Sequence, residues 1–393
     1  MSLDDPLAWI DAESENWTRR GLDRRLVAFE GATPGRLTLD GRSLLNFASN
    51  DYLGLASDPR VIEAAASASR IHGWGSGASP LVSGWREPHE ALASALADFE
   101  KTQAVALFPS GFAANLGTIV ALVGPGDAVY LDRLNHACLV DGARLSKAKL
   151  RVYPHNDLNR LETILSRDRG KFRRSMIATD GVFSMDGDLA PLRDLADLAD
   201  RFGAMLLVDE AHGTGVFGEN GRGASEYHGV SDRVDIKVGT LSKALGSVGG
   251  FVAGSRRLVD WLIHRARPLV YSTGLPASAA AAASQALEIL QNEPWRRSRL
   301  AELSTMFREA LPALEWPEPA MGGPIVPVIV GDPGRALELA SRLRDRGCLV
   351  PAIRPPTVPE GTARLRISLT AAHTPEDLQG LREALRSSSQ AGD

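Results

Sequence analysis

The chain has 393 residues, 44% of them apolar and 23% charged, with a formal net charge of −4. That length supports two cores rather than one small one, and the slightly acidic balance argues against nucleic acid or another polyanion as partner. Cys138 and Cys348 have neither metal nor disulfide spacing, no apolar run is long enough to span a membrane, and the opening M-S-L-D-D-P lacks the basic and apolar parts of a signal peptide; the expectation is a reduced, cytoplasmic protein with no bound metal and no membrane contact.

Residues 3–30 read as an arginine-rich helix, and 36–47 as a small hairpin turning at Asp40-Gly41. A loop from Asn50 leads to a helix near 59–71. The run H-G-W-G-S-G-A-S-P-L-V-S-G at 72–84 is either a flexible linker or, given Trp74, a tight loop at a ligand or subunit boundary. A helix over 87–101 follows, then a strand over 104–108. Ser110-Gly111-Phe112 starts the next helix there; such a junction is an ordinary helix start or an anion site built from free N–H groups. Strands are predicted at 128–132, 150–153 and 175–179, with helices at 158–167 and 191–202 and a long strand-end loop over 180–188. This strand–helix alternation predicts an α/β fold with a mostly parallel sheet.

Residues 205–246 concentrate the chemistry. M-L-L-V at 205–208 reads as a doubly covered strand delivering Asp209 and His212, and a second strand from 236 leads to Thr240-Leu241-Ser242-Lys243. Ligands of open α/β sheets sit beyond the carboxyl ends of the strands, so Asp209, His212 and Lys243 could meet at one ligand. The chain has only six lysines against 38 arginines. Lys243 is therefore either a solvated loop lysine or a Schiff-base lysine, a role that needs a primary amine whose pKa falls on burial. Asp209 is either a cap or structural ion-pair residue, or the partner of a pyridinium nitrogen. Residues 213–218 spell G-x-G-x-x-G after a strand, the form of a dinucleotide fingerprint. That motif must open a helix, and E-N-G-R-G at 219–223 has no helical period, so nucleotide binding is rejected. Strand 249–253, helices 255–266 and 276–291, a proline-rich linker near 312–324, strands 325–330, 347–350 and 364–369, and helices 334–346 and 375–387 complete the pattern.

D-E-A-H-G-T-G at 209–215 with T-L-S-K-A-L-G at 240–246 resembles the α-oxoamine synthases, pyridoxal phosphate (PLP) enzymes of the aspartate-aminotransferase fold (fold type I). N-F-A-S-N-D-Y-L-G-L at 46–55, G-S-G-A-S at 75–79, S-G-F-A-A-N at 110–115 and D-G-V-F-S-M-D-G-D at 180–188 agree, and the similarity runs from about residue 5 to about 385. The resemblance implies an arm (1–45), a large PLP-binding domain (46–290) and a small C-terminal α/β domain (291–393). It implies Lys243, Asp209 and His136 as catalytic residues, with Gly111, Phe112, Ser184, His212, Thr240 and Thr273 also holding PLP. His136 would stack on the ring, and Thr273 would reach the phosphate of a neighbouring subunit in a homodimer. Arg24, His136, Thr357 and Arg366 would contact substrate. The stretch 352–374, with I-R-P-P-T, resembles the family member that joins L-alanine to a pimeloyl thioester. A sister synthase using glycine or serine with another acyl-CoA is the alternative.

Overall fold

The computed structural model describes residues 5–314, 316–317 and 323–389. Strands β4 (Ala104–Phe108), β5 (Ala128–Asp132), β6 (Lys149–Tyr153), β7 (Ser175–Asp180), β8 (Met205–Asp209), β9 (Ile236–Thr240) and β10 (Gly250–Gly254) follow β1 (Glu30–Thr33), β2 (Arg36–Leu39) and β3 (Arg42–Asn46) along the chain. After them come β11 (Ile325–Gly331), β12 (Cys348–Leu349), β13 (Ala352–Ile353) and β14 (Ala363–Ser368). The central sheet has the order β4-β10-β9-β8-β7-β5-β6. It is parallel except for β10, which runs antiparallel to both β4 and β9.

Why these short strands lack a polar face follows from what covers them. Ala104, Ala106, Val129, Leu131, Met176, Ala178, Leu207 and Val238 pack on one side, against helices Gly111–Leu122, Ala137–Ser146 and Arg256–Arg265. Their neighbours along the strands face the other way. Val105, Leu107, Phe251 and Ala253 meet helices Glu87–Glu100 and Ala277–Asn292, while Tyr130, Ile177, Leu206 and Val208 meet helices Leu158–Asp168 and Leu192–Phe202. A sheet buried on both faces needs apolar residues at every position rather than at alternate ones.

The C-terminal part forms a separate sheet, β11-β14-β13, all antiparallel. A third sheet, β1-β2-β3-β12, joins the N-terminal hairpin to the C-terminal part, because β12 runs parallel to β3. The hairpin turns at Asp40 and Gly41, both at positive φ (50° and 71°), the geometry of a type I′ turn. No described helix is long and apolar enough to cross a membrane.

Three expectations are corrected. The helix predicted over 3–30, of which residues 3–4 lie outside the described residues, spans only Trp9–Arg19. None of its residues is buried, so no packing extends it, and Gly21 (φ 62°) turns the chain just past its end. The strand predicted over 347–350 shrinks to β12 and pairs with the N-terminal hairpin. Helix Trp295–Ala310 has no counterpart among the predicted elements because its flanking prolines read as linker, although Pro294 starts that helix rather than breaking it. The linker predicted near 312–324 falls partly on residues 315 and 318–322, outside the described residues. The rejected fingerprint at 213–218 opens no helix: residues 211–221 form turns and bends, apart from an antiparallel bridge from Thr214 to Arg222.

Candidate active site

Four strand ends place polar side chains along one edge of the central sheet: Asp132 on β5, Asp180 on β7, Asp209 on β8 and Thr240 on β9, all buried. Buried carboxylates must be hydrogen-bonded. Asp209 Oδ2 accepts from Asn115 Nδ2 at 2.6 Å and Oδ1 from the Ala211 N–H at 2.8 Å. Asp180 Oδ2 accepts from the His136 N–H at 2.7 Å.

Lys243 sits in the connection between β9 and β10. Because those strands are antiparallel, with Thr240 opposite Gly250, residues 241–249 are closed into a tight loop. The Leu241 N–H donates to the Gly249 carbonyl at 3.0 Å, Ser247 N–H to Leu241 at 2.8 Å, and Gly246 N–H to Lys243 at 2.9 Å. Gly246 takes φ 58°, and a Cβ there would lie 2.3 Å from the Ala56 nitrogen. Only glycine fits, so the backbone carrying Lys243 is fixed.

The Lys243 side chain runs into a continuous hydrogen-bond network. Its Nζ lies 2.8 Å from His212 Nε2, and His212 Nδ1 lies 2.6 Å from the Tyr52 hydroxyl. Tyr52 donates to Asn50 Oδ1 at 3.2 Å, and Arg366 Nη1 and Nη2 donate to the same oxygen at 3.2 Å each. Arg366 also donates through Nε to the Ser184 carbonyl at 2.6 Å and through Nη1 to Ser368 Oγ at 2.7 Å.

Burial dominates the titration of this cluster. The Lys243 residue is half-buried, and burial acts strongly on its amine. Burial pulls its pKa to about 8, against the opposing carboxylates of Asp209 and Asp180 and with the help of the Arg366 cation. His212 is held well below the usual histidine range by burial first and by the Lys243 cation second. Burial also lowers His136, while burial and then the Asp209 charge raise Asp180 well above the carboxylate range. A lysine that can lose its proton near neutral pH, among neutral histidines, suits nucleophilic and base chemistry.

Beside Thr240 lies the N-terminus of helix Gly111–Leu122. Ser110 caps it by accepting from the Ala113 N–H at 3.1 Å, and the Gly111 and Phe112 N–H groups donate to nothing among the described residues. A Cβ at Gly111 would sit 3.3 Å from Thr240 Cβ, so helix end and hydroxyl form one cradle. His136 is exposed and meets Phe112 edge-on at 6.4 Å. An amine, a carboxylate one strand away, a histidine with an accessible ring and an anion cradle match the parts of PLP, and the residues present fit that cofactor.

The loop 181–189 carrying Ser184 is held from three sides. Arg366 holds the Ser184 carbonyl, Arg364 pairs with Asp186, and His155 Nε2 bonds Asp188 at 2.8 Å while its Nδ1 bonds Asp132 at 3.0 Å. Other predicted residues lie outside the network around Lys243. Arg24 and Thr357 come together, Nη2 to Oγ1 at 3.5 Å, both exposed. Thr273 is exposed, and its side chain makes no hydrogen bond among the described residues. Asn50, Tyr52, Asn115 and Asp180 do not stand out from sequence as site residues, although each lies inside a quoted motif. Asn115 stands one turn beyond Gly111 on the same helix, a spacing that could have exposed it.

Residues 42–385 match the model of the aminotransferase class I and II family. The chain belongs to that family, and it is a PLP-dependent enzyme of fold type I. Its curated relatives include the 8-amino-7-oxononanoate synthase of Anaeromyxobacter dehalogenans, 51% identical over 379 residues, 96% of this chain and 95% of the relative. The synthase of Symbiobacterium thermophilum is 46% identical over 100% of this chain and 98% of its own. Among solved structures, a serine palmitoyltransferase from S. paucimobilis with a PLP–myriocin aldimine bound superimposes with a TM-score of 0.93 at 31% identity, covering 100% of this chain and 99% of that one.

Proposed function

We propose that the chain condenses L-alanine with a pimeloyl thioester to give 8-amino-7-oxononanoate, a step of biotin biosynthesis, with release of the thiol and of carbon dioxide. The 51% identity to a synthase named for that product, along nearly the whole chain, supports the choice over a sister synthase. Shape alone does not decide it, since a serine palmitoyltransferase superimposes along the whole chain with a TM-score of 0.93. The observation that carries the chemistry is the Lys243 amine with its pKa near 8, beside Asp209.

PLP, when bound, supplies the electron sink that lets an amino-acid Cα carry negative charge. Lys243 is the residue to hold it covalently and then to take the Cα proton at Nζ. Asp209 Oδ2 would face the pyridine nitrogen and favour its protonated form through a charge-assisted hydrogen bond. Gly111, Phe112 and Thr240 would take the phosphate, and His136 would cover the ring. His212, with Ser184 nearby, would bond the phenolic oxygen. Arg366 would receive the alanine carboxylate, for which its planar fork is suited. Arg24 and Thr357, already in contact, form the entrance for the acyl chain.

On this proposal the chain divides into an arm (1–45), a cofactor-holding body (46–290) and a C-terminal unit (291–393), and it works in the cytoplasm as a homodimer. Ile71, Trp74, Val82 and Tyr271 are all more than 70% exposed, apolar side chains that a second copy would cover. Thr273, two residues from Tyr271, would then complete the partner's phosphate cradle. Lys243→Ala should fold and yet give no borohydride-trapped cofactor adduct and nearly no turnover; trapping at normal yield would show that another lysine holds the cofactor.

A further inference from the structure

The network between Lys243 and Arg366 has a direction that its own donors and acceptors impose. An arginine only donates. Both Arg366 contacts to Asn50 therefore fix that oxygen as the carbonyl of the amide, an acceptor. Tyr52, fully buried, has a single hydroxyl proton, and its contact with Asn50 Oδ1 is between two oxygens of which one can only accept. Tyr52 therefore donates to Asn50. Its 2.6 Å contact with His212 must then be one in which His212 Nδ1 carries the proton and the Tyr52 oxygen accepts. A neutral His212 with a proton on Nδ1 has a bare Nε2, and that lone pair faces Lys243 Nζ at 2.8 Å.

We propose that Tyr52 is a positioning residue: by donating to Asn50 it holds His212 in the Nδ1-protonated tautomer, and so keeps an acceptor aimed at the lysine amine. The proposal rests on Lys243 being the reactive lysine. The charged and titratable groups around that amine are Asp209, Asp180, Arg366, His136, His212 and Cys138. Of these, His212 alone is hydrogen-bonded to the amine among the described residues. The chain of bonds also links the two ends of the site.

Tyr52→Phe keeps the ring and removes only the hydroxyl. In the full-length chain without added PLP, trace acetylation across pH, read by mass spectrometry on the Lys243 peptide, measures the lysine pKa. Histidine-selective 15N NMR reads the His212 tautomer. In the variant His212 Nδ1–H has no acceptor, the other tautomer gains population, and the lysine cation loses its acceptor. The Lys243 pKa should fall by about one unit, the size expected for losing a hydrogen bond to a charged group, and the His212 nitrogen shifts should move toward the Nε2-protonated form. An unchanged lysine pKa together with an unchanged His212 tautomer would overturn the role of Tyr52. Borohydride trapping with PLP separates this outcome from the failure of the functional proposal. A wild-type chain that traps cofactor on Lys243 upholds that proposal whatever Tyr52→Phe does, and one that traps none there overturns both.

Discussion

Enclosing a lysine among neutral histidines costs stability, and the cost can be read from pH. Lys243 drops from 10.5 to about 8 in the folded chain, which at about 1.4 kcal/mol per unit amounts to about 3 kcal/mol. The unfolded chain binds the extra proton between those two values, so stability rises with pH across that window. The penalty is complete below pH 8 and gone above pH 10.5. Lys243→Met replaces the amine with an unbranched apolar side chain of similar reach. Without PLP, the variant should be more stable than the wild type by up to about 3 kcal/mol at pH 7, and by only about 1 kcal/mol at about pH 9.5. Urea unfolding of both proteins at the two pH values measures this directly, and titrating groups remote from Lys243 cancel in the difference, while His212, His136 and Asp180 titrate with it. A variant less stable than wild type at pH 7, or a gain that does not shrink as pH rises, would refute the claim that the amine is forced toward its neutral form.

Asp209→Asn should keep cofactor bound and slow exchange of the L-alanine Cα proton by orders of magnitude, because a neutral amide cannot hold the pyridinium charge; exchange at the wild-type rate, followed by NMR in deuterated solvent, would remove Asp209 from that role. Gly246→Ala forces a left-handed backbone costing roughly 1–3 kcal/mol and drives a Cβ into the Ala56 nitrogen, so thermal unfolding should come earlier and PLP uptake should fall. Burial pushes His155 down, but the Asp132 and Asp188 carboxylates override it and hold it at about 10. The stability lost in His155→Gln should therefore be full below pH 6.5 and disappear as pH rises through 10. Mixed dimers of Lys243→Ala and Thr273→Arg should regain part of the activity each lacks alone, since one of the two sites would be intact; a chain that is monomeric and fully active by light scattering would exclude the shared site.

Much of the architecture is legible in the sequence because both faces of the sheet are covered. Runs such as M-L-L-V before Asp209 and A-V-A-L-F before Ser110 stand out as strands, and each delivers its polar residue at a predictable edge. Lys243 stands out by scarcity among arginines. What stays hidden depends on distant partners. Tyr52 gains its role from His212, 160 positions away, and Asn50 from Arg366, 316 positions away. Nothing local in N-D-Y announces either. The N-terminal helix reads as too long because arginine and leucine favour helix wherever packing does not oppose it, while the partner of β12 is set by a contact across the whole chain. The clamp on the Ser184 loop from Arg364, Arg366 and His155 is likewise invisible in sequence, since two of its anchors lie on the C-terminal sheet and the third follows a strand of the central one.

The central claim is the joining of L-alanine to a pimeloyl thioester at this site. Incubating the PLP-loaded chain with pimeloyl-CoA and either L-alanine or glycine, with product followed by mass spectrometry and free thiol by colour, tests it most directly. L-alanine should give 8-amino-7-oxononanoate with one thiol released per product, at a kcat/KM at least about tenfold above glycine, the order that one methyl group allows. No product from L-alanine and pimeloyl-CoA, with brisk turnover of glycine and a shorter acyl-CoA, would contradict it.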